Sequence, residues 1–342
     1  MSSIADVKGV KMGHACDFQG VTGITVVLCE DGAVGSVAVV GGAPGTRETD
    51  LMKPSFTVSE VHGLFLAGGS AFGLDAAGGI VRYLEERGAG FDTQVAKVPI
   101  VAGAVIFDLA IGDSGCRPTP DMAYTACINA RSYGARSGNV GAGVGATVGK
   151  LWGPRYMMKS GLGNGAVKLE NGVLVGCVMV VNAAGDVYDP GTGQPLAGAY
   201  DRENRRFLSC SDRLEKNPAG SGQISTGNGH DLAGKNTTIG VVATDASLTK
   251  EECRRVAIMA MGGLAQAIRP AFTPFDGDTV FAVSTGKAEY GRSRLDAGLR
   301  ASLVAQIGIA AQKAVVDAVL DAVVCCEGIA GIPARCGLGS RG

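Results

Sequence analysis

Gly234-Lys235-Asn236-Thr237-Thr238-Ile239-Gly240-Val241-Val242-Ala243-Thr244 joins two kinds of chain. Its first three residues close a polar run, 185–236, rich in Gly, Asp, Asn and Arg and without a sustained period. From Thr237 to Thr244 β-branched and small apolar residues take over, the mark of a buried strand. The polar run predicts a long surface excursion, and loops of that length are usually functional or disordered. Taken alone, Asn-Thr-Thr at a strand start is ordinary turn chemistry.

Working outward from this junction, the second half reads strand, helix, strand, helix. Thr249 with Glu252 three residues on has capping-box spacing and marks a helix start. Phe275-Asp276-Gly277-Asp278 then leads into a strand over Thr279–Ser284, and a long helix covers 296–325. In the first half, strands are expected over 21–29, 35–40, 62–67, 98–107 and 174–181, with helices over 73–87 and 121–133. The run Gly41-Gly42-Ala43-Pro44-Gly45-Thr46 ends the second of those strands. Alternating strands and helices fit a layered α/β protein and leave the sheet order open. There is no internal repeat, coiled-coil heptad or low-complexity tract.

Composition bounds the function. With 342 residues, 46% apolar, and a mean hydropathy of +0.21, the chain can bury a large core. Fifty-four glycines against 5% aromatic residues imply tight turns and close backbone approaches around a core of small aliphatics. A formal net charge of −1 gives no broad pull toward nucleic acid or anionic lipid, and suits a small, near-neutral ligand. The ten cysteines form no C-x-x-C pair, so they read as free buried thiols in a reducing compartment. The first residues lack the basic-then-apolar order of a signal peptide, and no apolar run reaches membrane-spanning length, so the expectation is a soluble cytoplasmic protein.

Several motifs fail on inspection. Gly141-Ala142-Gly143-Val144-Gly145-Ala146, with Glu170 downstream, matches a dinucleotide fingerprint, yet turn-like residues precede it and Trp152-Gly153-Pro154 breaks any following helix. Gly149-Lys150-Leu151 is not a phosphate loop, which needs Ser or Thr after Lys and a Gly where Val144 stands. Gly69-Ser70-Ala71 has the setting of a nucleophile elbow but Phe72 occupies the second Gly position, leaving Ser70 as a helix N-cap. His14, His62 and His230 are scattered, and ordinary polar or core histidines are the default.

The longer segments are more specific. Gly41-Gly42-Ala43-Pro44-Gly45-Thr46-Arg47-Glu48-Thr49-Asp50, Ala67-Gly68-Gly69-Ser70-Ala71-Phe72-Gly73-Leu74-Asp75, Val98-Pro99-Ile100-Val101, Ile106-Phe107-Asp108, the stretch from Gly141 to Lys150, Asn236-Thr237-Thr238-Ile239 and Asp276-Gly277-Asp278-Thr279 together span nearly the whole chain. In these the chain resembles the L-aminopeptidase/D-amidase-esterase family, which includes the nylon-oligomer hydrolases. The resemblance implies a four-layer αββα sandwich of the N-terminal-nucleophile-hydrolase type, with the family's own connectivity. It also implies a single domain, 1–342, that cuts itself into an α subunit, 1–236, and a β subunit, 237–342.

The same resemblance assigns roles. Thr237 becomes the N-terminal nucleophile after cleavage of the Asn236–Thr237 bond. Lys150 matches the catalytic lysine, whose cation favours the deprotonated hydroxyl and depresses the amine pKa. Asn182 matches an oxyanion donor, and Asp276 and Asp278 match a carboxylate pair that orients the Thr237 amine and Lys150. The chemistry is sound, because a threonine hydroxyl needs an adjacent base and its own α-amine, with a reference pKa of roughly 7.7–8.0, can serve. Each residue also has a plainer reading: a surface lysine, a turn asparagine, an Asp-Gly-Asp loop. Thr237 with two aspartates places the chain nearer the nylon-hydrolase branch, whereas Phe107 stands where those enzymes have a substrate-site tyrosine. The expected activity is hydrolysis of short peptides or amides, or of ω-amino-acid oligomers. The alternatives are a threonine-nucleophile acyltransferase and an uncleaved binding protein. The mechanism requires no cofactor and no metal, and a homo-oligomer of αβ units, a tetramer, is expected.

Overall fold

The computed structural model describes residues 2–216, 236–290 and 296–338. One long strand organises it. Two strands expected over 21–29 and 35–40 are a single strand, β2 (Thr22–Val39), because Glu30-Asp31-Gly32 forms an irregularity rather than a turn. Gly32 takes φ +82°, and the pairing resumes at Ala33 opposite Val61.

The remaining strands of the main sheet are β1 (Lys11–Asp17), β3 (Thr46–Arg47), β4 (Glu60–Ala67), β5 (Val101–Val105), β6 (Leu162–Lys168), β7 (Leu174–Asn182), β8 (Thr237–Thr244) and β9 (Thr279–Ser284). Their hydrogen-bonded order is β6-β7-β8-β9-β2-β4-β5-β3, with β1 also on β2. The pairs β8–β9 and β4–β5 are parallel. The first half of β2 carries β1, and the second half carries β9, so the sheet has two wings joined by one strand.

Three apolar clusters show how the wings are layered. Val178, Ile239, Val241 and Phe281 of one wing pack with Leu64, Leu66, Ala102 and Ala104 of the other, so the wings lie face to face. On the outer face of the first wing, Val175, Cys177, Val242 and Val280 pack under helices α3 (Lys250–Ala267) and α4 (Ala297–Val324). On the outer face of the second, Ile24, Val26 and Phe65 pack under α1 (Ala77–Glu85) and α2 (Pro120–Ile128). Helix, sheet, sheet and helix make the four layers that the family resemblance implies. The strict alternation along β8 follows from the pleat: odd residues enter the inter-sheet core and even residues face the helices.

Local chemistry sets the ends. Thr249 and Glu252 form the capping box of α3, and Asp296 caps α4. The helix expected over 73–87 begins as a 3-10 turn, Ser70–Ala76, and its N-cap is Gly69 at φ +80°; Ser70 is not the cap. The helix expected over 121–133 stops at Ile128, because the Arg131 backbone pairs with Met12. The strand expected over 98–107 shortens to β5, since Pro99 interrupts it and Lys97–Val98 pairs with Phe91–Asp92.

The polar run after 185 is not a simple surface loop over its described part. Short strands Asp186–Tyr188, Pro195–Ala197, Tyr200–Asp201 and Arg206–Phe207 lead to a helix, Cys210–Lys216. Buried Asp186 organises them by accepting from the Ala199 and Cys210 amides, both at 2.7 Å. His230, Gly234 and Lys235 lie outside the described residues. All ten cysteines are free; six are buried, while Cys325 and Cys336 are exposed. Among the described residues no helix is long and apolar enough to cross a membrane.

The close packing of α4 on β6 is set by glycine. A Cβ on Gly163 would lie 2.0 Å from the Ala318 carbonyl oxygen, and one on Gly165 would lie 2.1 Å from that of Ala314. Gly163→Ala must therefore push the helix off the sheet. We expect a loss of about 1–3 kcal/mol in urea denaturation, whereas Gly78→Ala, where a Cβ would meet only Pro120 at 3.9 Å, should lose less.

Candidate active site

The last residue of β7 and the first of β8 face each other, Asn182 opposite Thr237. Directly paired residues put their side chains on one face, with Cβ atoms about 5 Å apart. That face is the one carrying Val178, Val180, Ile239 and Val241, so both side chains point into the end of the inter-sheet layer. Asn182 was expected just beyond its strand; the structure makes it the final rung.

On the other side of β8, Asn236 bridges Asp276 in parallel fashion. The Gly277 amide donates to the Asn236 carbonyl oxygen at 2.9 Å, and the Thr237 hydroxyl donates to the same oxygen. A side chain at Gly277 has no room: its Cβ would stand 2.7 Å from the Ala43 carbonyl oxygen and 3.0 Å from Thr237 Oγ1. The glycine-rich run at 41–45 thus packs against the Asp-Gly-Asp turn, with the Ala43 amide on the Asp276 carbonyl at 2.9 Å.

Both aspartates are buried. Asp278 accepts from the Thr238 amide at 2.7 Å and the Phe272 amide at 3.0 Å. Asp276 accepts from the Ala184 amide at 3.1 Å and from Thr273. Burial raises both carboxyls above the usual range, and repulsion from Asp276 adds to the effect on Asp278, which is pushed up to about 7.

Lys150 comes to this place through its backbone. Gly149, at φ +75°, donates to the Gly185 carbonyl and the Lys150 amide donates to that of Ala184. The Lys150 ammonium then donates to the Asn182 side-chain oxygen at 2.7 Å and to its carbonyl at 2.9 Å. Part of the side chain stays accessible, but the charged end is enclosed by protein. That enclosure pushes its pKa down to about 7, against the opposing attraction of Asp276 and Asp108. The Asn182 amide nitrogen donates to the Phe107 carbonyl at 3.3 Å, and the Thr147 amide donates to the Asn182 oxygen at 3.1 Å.

The structure therefore brings together Thr237, Asn236, Asn182, Lys150, Asp276 and Asp278, and sets the half-buried Phe107 beside them through its backbone. His14 bonds Thr25, and His62 accepts from the Ile100 amide, both as sheet residues. The run Gly141-Ala142-Gly143-Val144-Gly145 is a buried 3-10 turn, in agreement with a close-packed connection rather than a nucleotide loop. Sequence reasoning missed three residues. Gly277 was legible only as the middle of Asp-Gly-Asp; Asp108 sat inside a matching segment without a role; Lys159, fully buried, gave no signal at all.

This is the architecture of an N-terminal-nucleophile-type sandwich with a hydroxyl, a lysine and paired carboxylates gathered at the ends of three strands. It aligns with the solved L-aminopeptidase D-Ala-esterase/amidase of Ochrobactrum anthropi, described as a new variant among the Ntn hydrolase fold, at a TM-score of 0.68 and 19% identity over 97% of this chain and 89% of that one. A protein named an uncharacterized aminopeptidase in Mycobacterium leprae (strain TN) is 43% identical over 99% of this chain and 94% of its own length. A 6-aminohexanoate-oligomer endohydrolase of Agromyces sp. (strain KY5R) is 29% identical over 93% of this chain and 84% of its own. The chain belongs to peptidase family S58, which it matches over residues 2–336. The family resemblance read from the motifs is borne out, and the protein is a hydrolase of amide C–N bonds.

Lys159 offers a test of the buried charges. Its pKa is pushed down to about 7 from the ordinary 10.5, mainly by burial. Between those values the folded chain holds fewer protons than the unfolded one, so this contribution to stability is present at high pH and is lost as pH falls through about 7. Lys150 acts in the same sense. In Lys159→Met the rise in stability between pH 7.5 and 9.5 should be shallower by up to about 1.4 kcal/mol per pH unit, as read by denaturant titrations at each pH.

Proposed function

We propose that the chain cuts its own Asn236–Thr237 bond and then acts as an N-terminal-threonine aminopeptidase on short peptides or amides. The observation that carries this reading is the contact of the Thr237 hydroxyl with the Asn236 carbonyl, while the Gly277 amide holds that carbonyl from another side. Thr237 is 4% exposed in the continuous chain, which suits attack on its own backbone better than attack on an incoming substrate.

In the proposed cleavage, Thr237 Oγ attacks the Asn236 carbonyl carbon and its proton passes to the neutral amine of Lys150, directly or through water. A lysine held at about 7 supplies that neutral form near physiological pH. Negative charge gathers on the carbonyl oxygen, where the Gly277 N–H already lies. The C–N bond breaks, the Thr237 nitrogen takes the proton back, and an ester links Thr237 Oγ to Asn236. Water hydrolyses the ester, leaving an Asn236 carboxylate and a free Thr237 amine. In the mature site that amine is the base for Oγ, Asn182 donates to the substrate oxyanion, and Asp276 and Asp278 fix the amine and Lys150. An acyl-enzyme on Thr237 forms as the substrate amine leaves, and water releases the acyl group.

The proposal keeps 1–236 and 237–342 in one αββα unit, since β8 lies between β7 and β9 across the cut. It also includes a cytoplasmic homo-oligomer of four such units. Cleavage of ω-amino-acid oligomers is a second reading, favoured by Thr237 together with two aspartates and by the endohydrolase relative. Phe107, without a phenolic hydroxyl, cannot give a substrate the hydrogen bond that a tyrosine at that position would.

Intact-mass analysis tests the central step. Wild type should give two fragments parted between Asn236 and Thr237, Thr237→Ser should also part, and Thr237→Ala should remain one chain with no amidase activity. A folded wild-type chain that stays whole would remove Thr237 as the nucleophile. In Lys150→Met, cleavage should slow at least about 100-fold, the scale of a lost general base.

A further inference from the structure

Two glycine-rich segments remain without a task in the proposed reaction: Gly68-Gly69-Ser70 after β4, and the turn from Gly141 to Gly145. Both close on one side chain. Asp108, 2% exposed, accepts from the Gly69 amide through Oδ1 at 2.7 Å and from the Thr22 hydroxyl through Oδ2 at 2.7 Å. A Cβ on Gly68 would lie 2.0 Å from Asp108 Oδ2, and one on Gly145 would lie 2.5 Å from Asp108 Cβ. Gly69 also takes φ +80°, which aims its N–H at the carboxylate. Any side chain at 68 or 145 would displace the carboxylate.

The place of this anion matters because of its neighbours. The carbonyl of the preceding residue, Phe107, receives the Asn182 amide nitrogen, and the other end of that amide holds Lys150 and the Thr147 amide. Thr147 lies two residues beyond Gly145, which seals the turn against Asp108. The same turn is pinned by Lys159, whose ammonium donates to the Gly143 carbonyl at 2.8 Å and to that of Ser160. Both buried lysines feel the charge of Asp108: it opposes the effect of burial on Lys150, as Asp276 does, and on Lys159, as Cys326 does.

We propose that Asp108 is a positioning residue of the site, a fixed buried anion that aims Asn182 through the Phe107 backbone and sets the charge facing Lys150. It touches neither the substrate nor the reacting atoms. The inference rests on the reading of Lys150 and Asn182 given above, but its charge effect is measurable without turnover. The two donors on its oxygens stabilise the ionised form, while burial raises its pKa above the carboxylate range. The groups facing the lysines are Asp108 and Asp276 for Lys150, and Asp108 and Cys326 for Lys159.

The test is Asp108→Asn, which keeps the shape and an acceptor for the Gly69 amide but removes the charge. Asp108→Glu, which restores charge with one extra methylene, is the companion. Protein carrying 13Cε-labelled lysine is titrated by NMR, with the Lys150 signal assigned by its loss in Lys150→Met, and self-cleavage is timed across the same pH range. In a folded Asp108→Asn, the Lys150 midpoint should fall by about one unit. The pH profile of cleavage should move down with it, and the plateau rate should fall about tenfold. Asp108→Glu should return the midpoint toward wild type. An unchanged Lys150 midpoint in folded Asp108→Asn overturns the proposal, as does a loss of thermal stability with midpoint and plateau rate intact. Failure of wild type to cleave, with the Lys150 midpoint still shifted in Asp108→Asn, would instead count against the self-cleaving reading and leave the electrostatic role of Asp108 standing. If Asp108→Asn fails to fold, Thr22→Val supplies the reading, because removing one donor weakens the anion and should move the Lys150 midpoint in the same downward direction.

Discussion

The register between β7 and β8 places Asn182 directly opposite Thr237, and the parallel bridge on the other side places Asp276 beside Asn236. A slip of one residue in either pairing would turn the threonine hydroxyl from the inter-sheet layer toward the helices. The register is held by burial rather than by the polar groups themselves. Ile239, Val241 and Ala243 belong in the inter-sheet core and Val242 belongs under α3 and α4, so an alignment shifted by one residue satisfies neither face. The proposed chemistry thus sits at the end of a strand whose position is fixed by apolar side chains.

The site gathers charge in a place where charge is unfavourable. Two aspartates and Lys150, with Asp108 and Lys159 nearby, are enclosed with little access to water. Backbone amides do most of the compensation: Thr238, Phe272, Ala184, Thr273 and Gly69 all donate to carboxylates. The remaining imbalance appears as both lysines pushed down to about 7 and the carboxyls pushed up, Asp278 to about 7. Groups with pKa values so matched exchange protons with little cost, which is the property that acid–base chemistry near pH 7 needs.

Glycine makes this crowding possible. At Gly277 its absent side chain leaves space for the Thr237 hydroxyl and the Ala43 carbonyl; at Gly68 and Gly145 it leaves space for the Asp108 carboxylate. The two motifs that imitate a nucleotide fingerprint and a nucleophile elbow are therefore glycine-rich for a different reason. They pack backbone against a buried acid.

The sequence by itself determined the elements whose signals are local. The strands Thr237–Thr244 and Thr279–Ser284, the capping box of α3, the long helix α4 and the layered α/β class all follow from periodicity, capping and β-branching. The long matching segments added the family, the four layers and a set of candidate residues. Only the tertiary structure decided that β2 is one strand shared by two wings, because Glu30-Asp31-Gly32 reads locally as a turn and is overruled by pairing with β4. It alone brought Lys150 to Asn182 through the stitching of Gly149 and Lys150 to Ala184 and Gly185, contacts that no spacing encodes. It alone revealed Gly277, Asp108 and Lys159, since burial and a neighbour's charge are properties of the packed chain and leave no periodic trace in the residues that carry them.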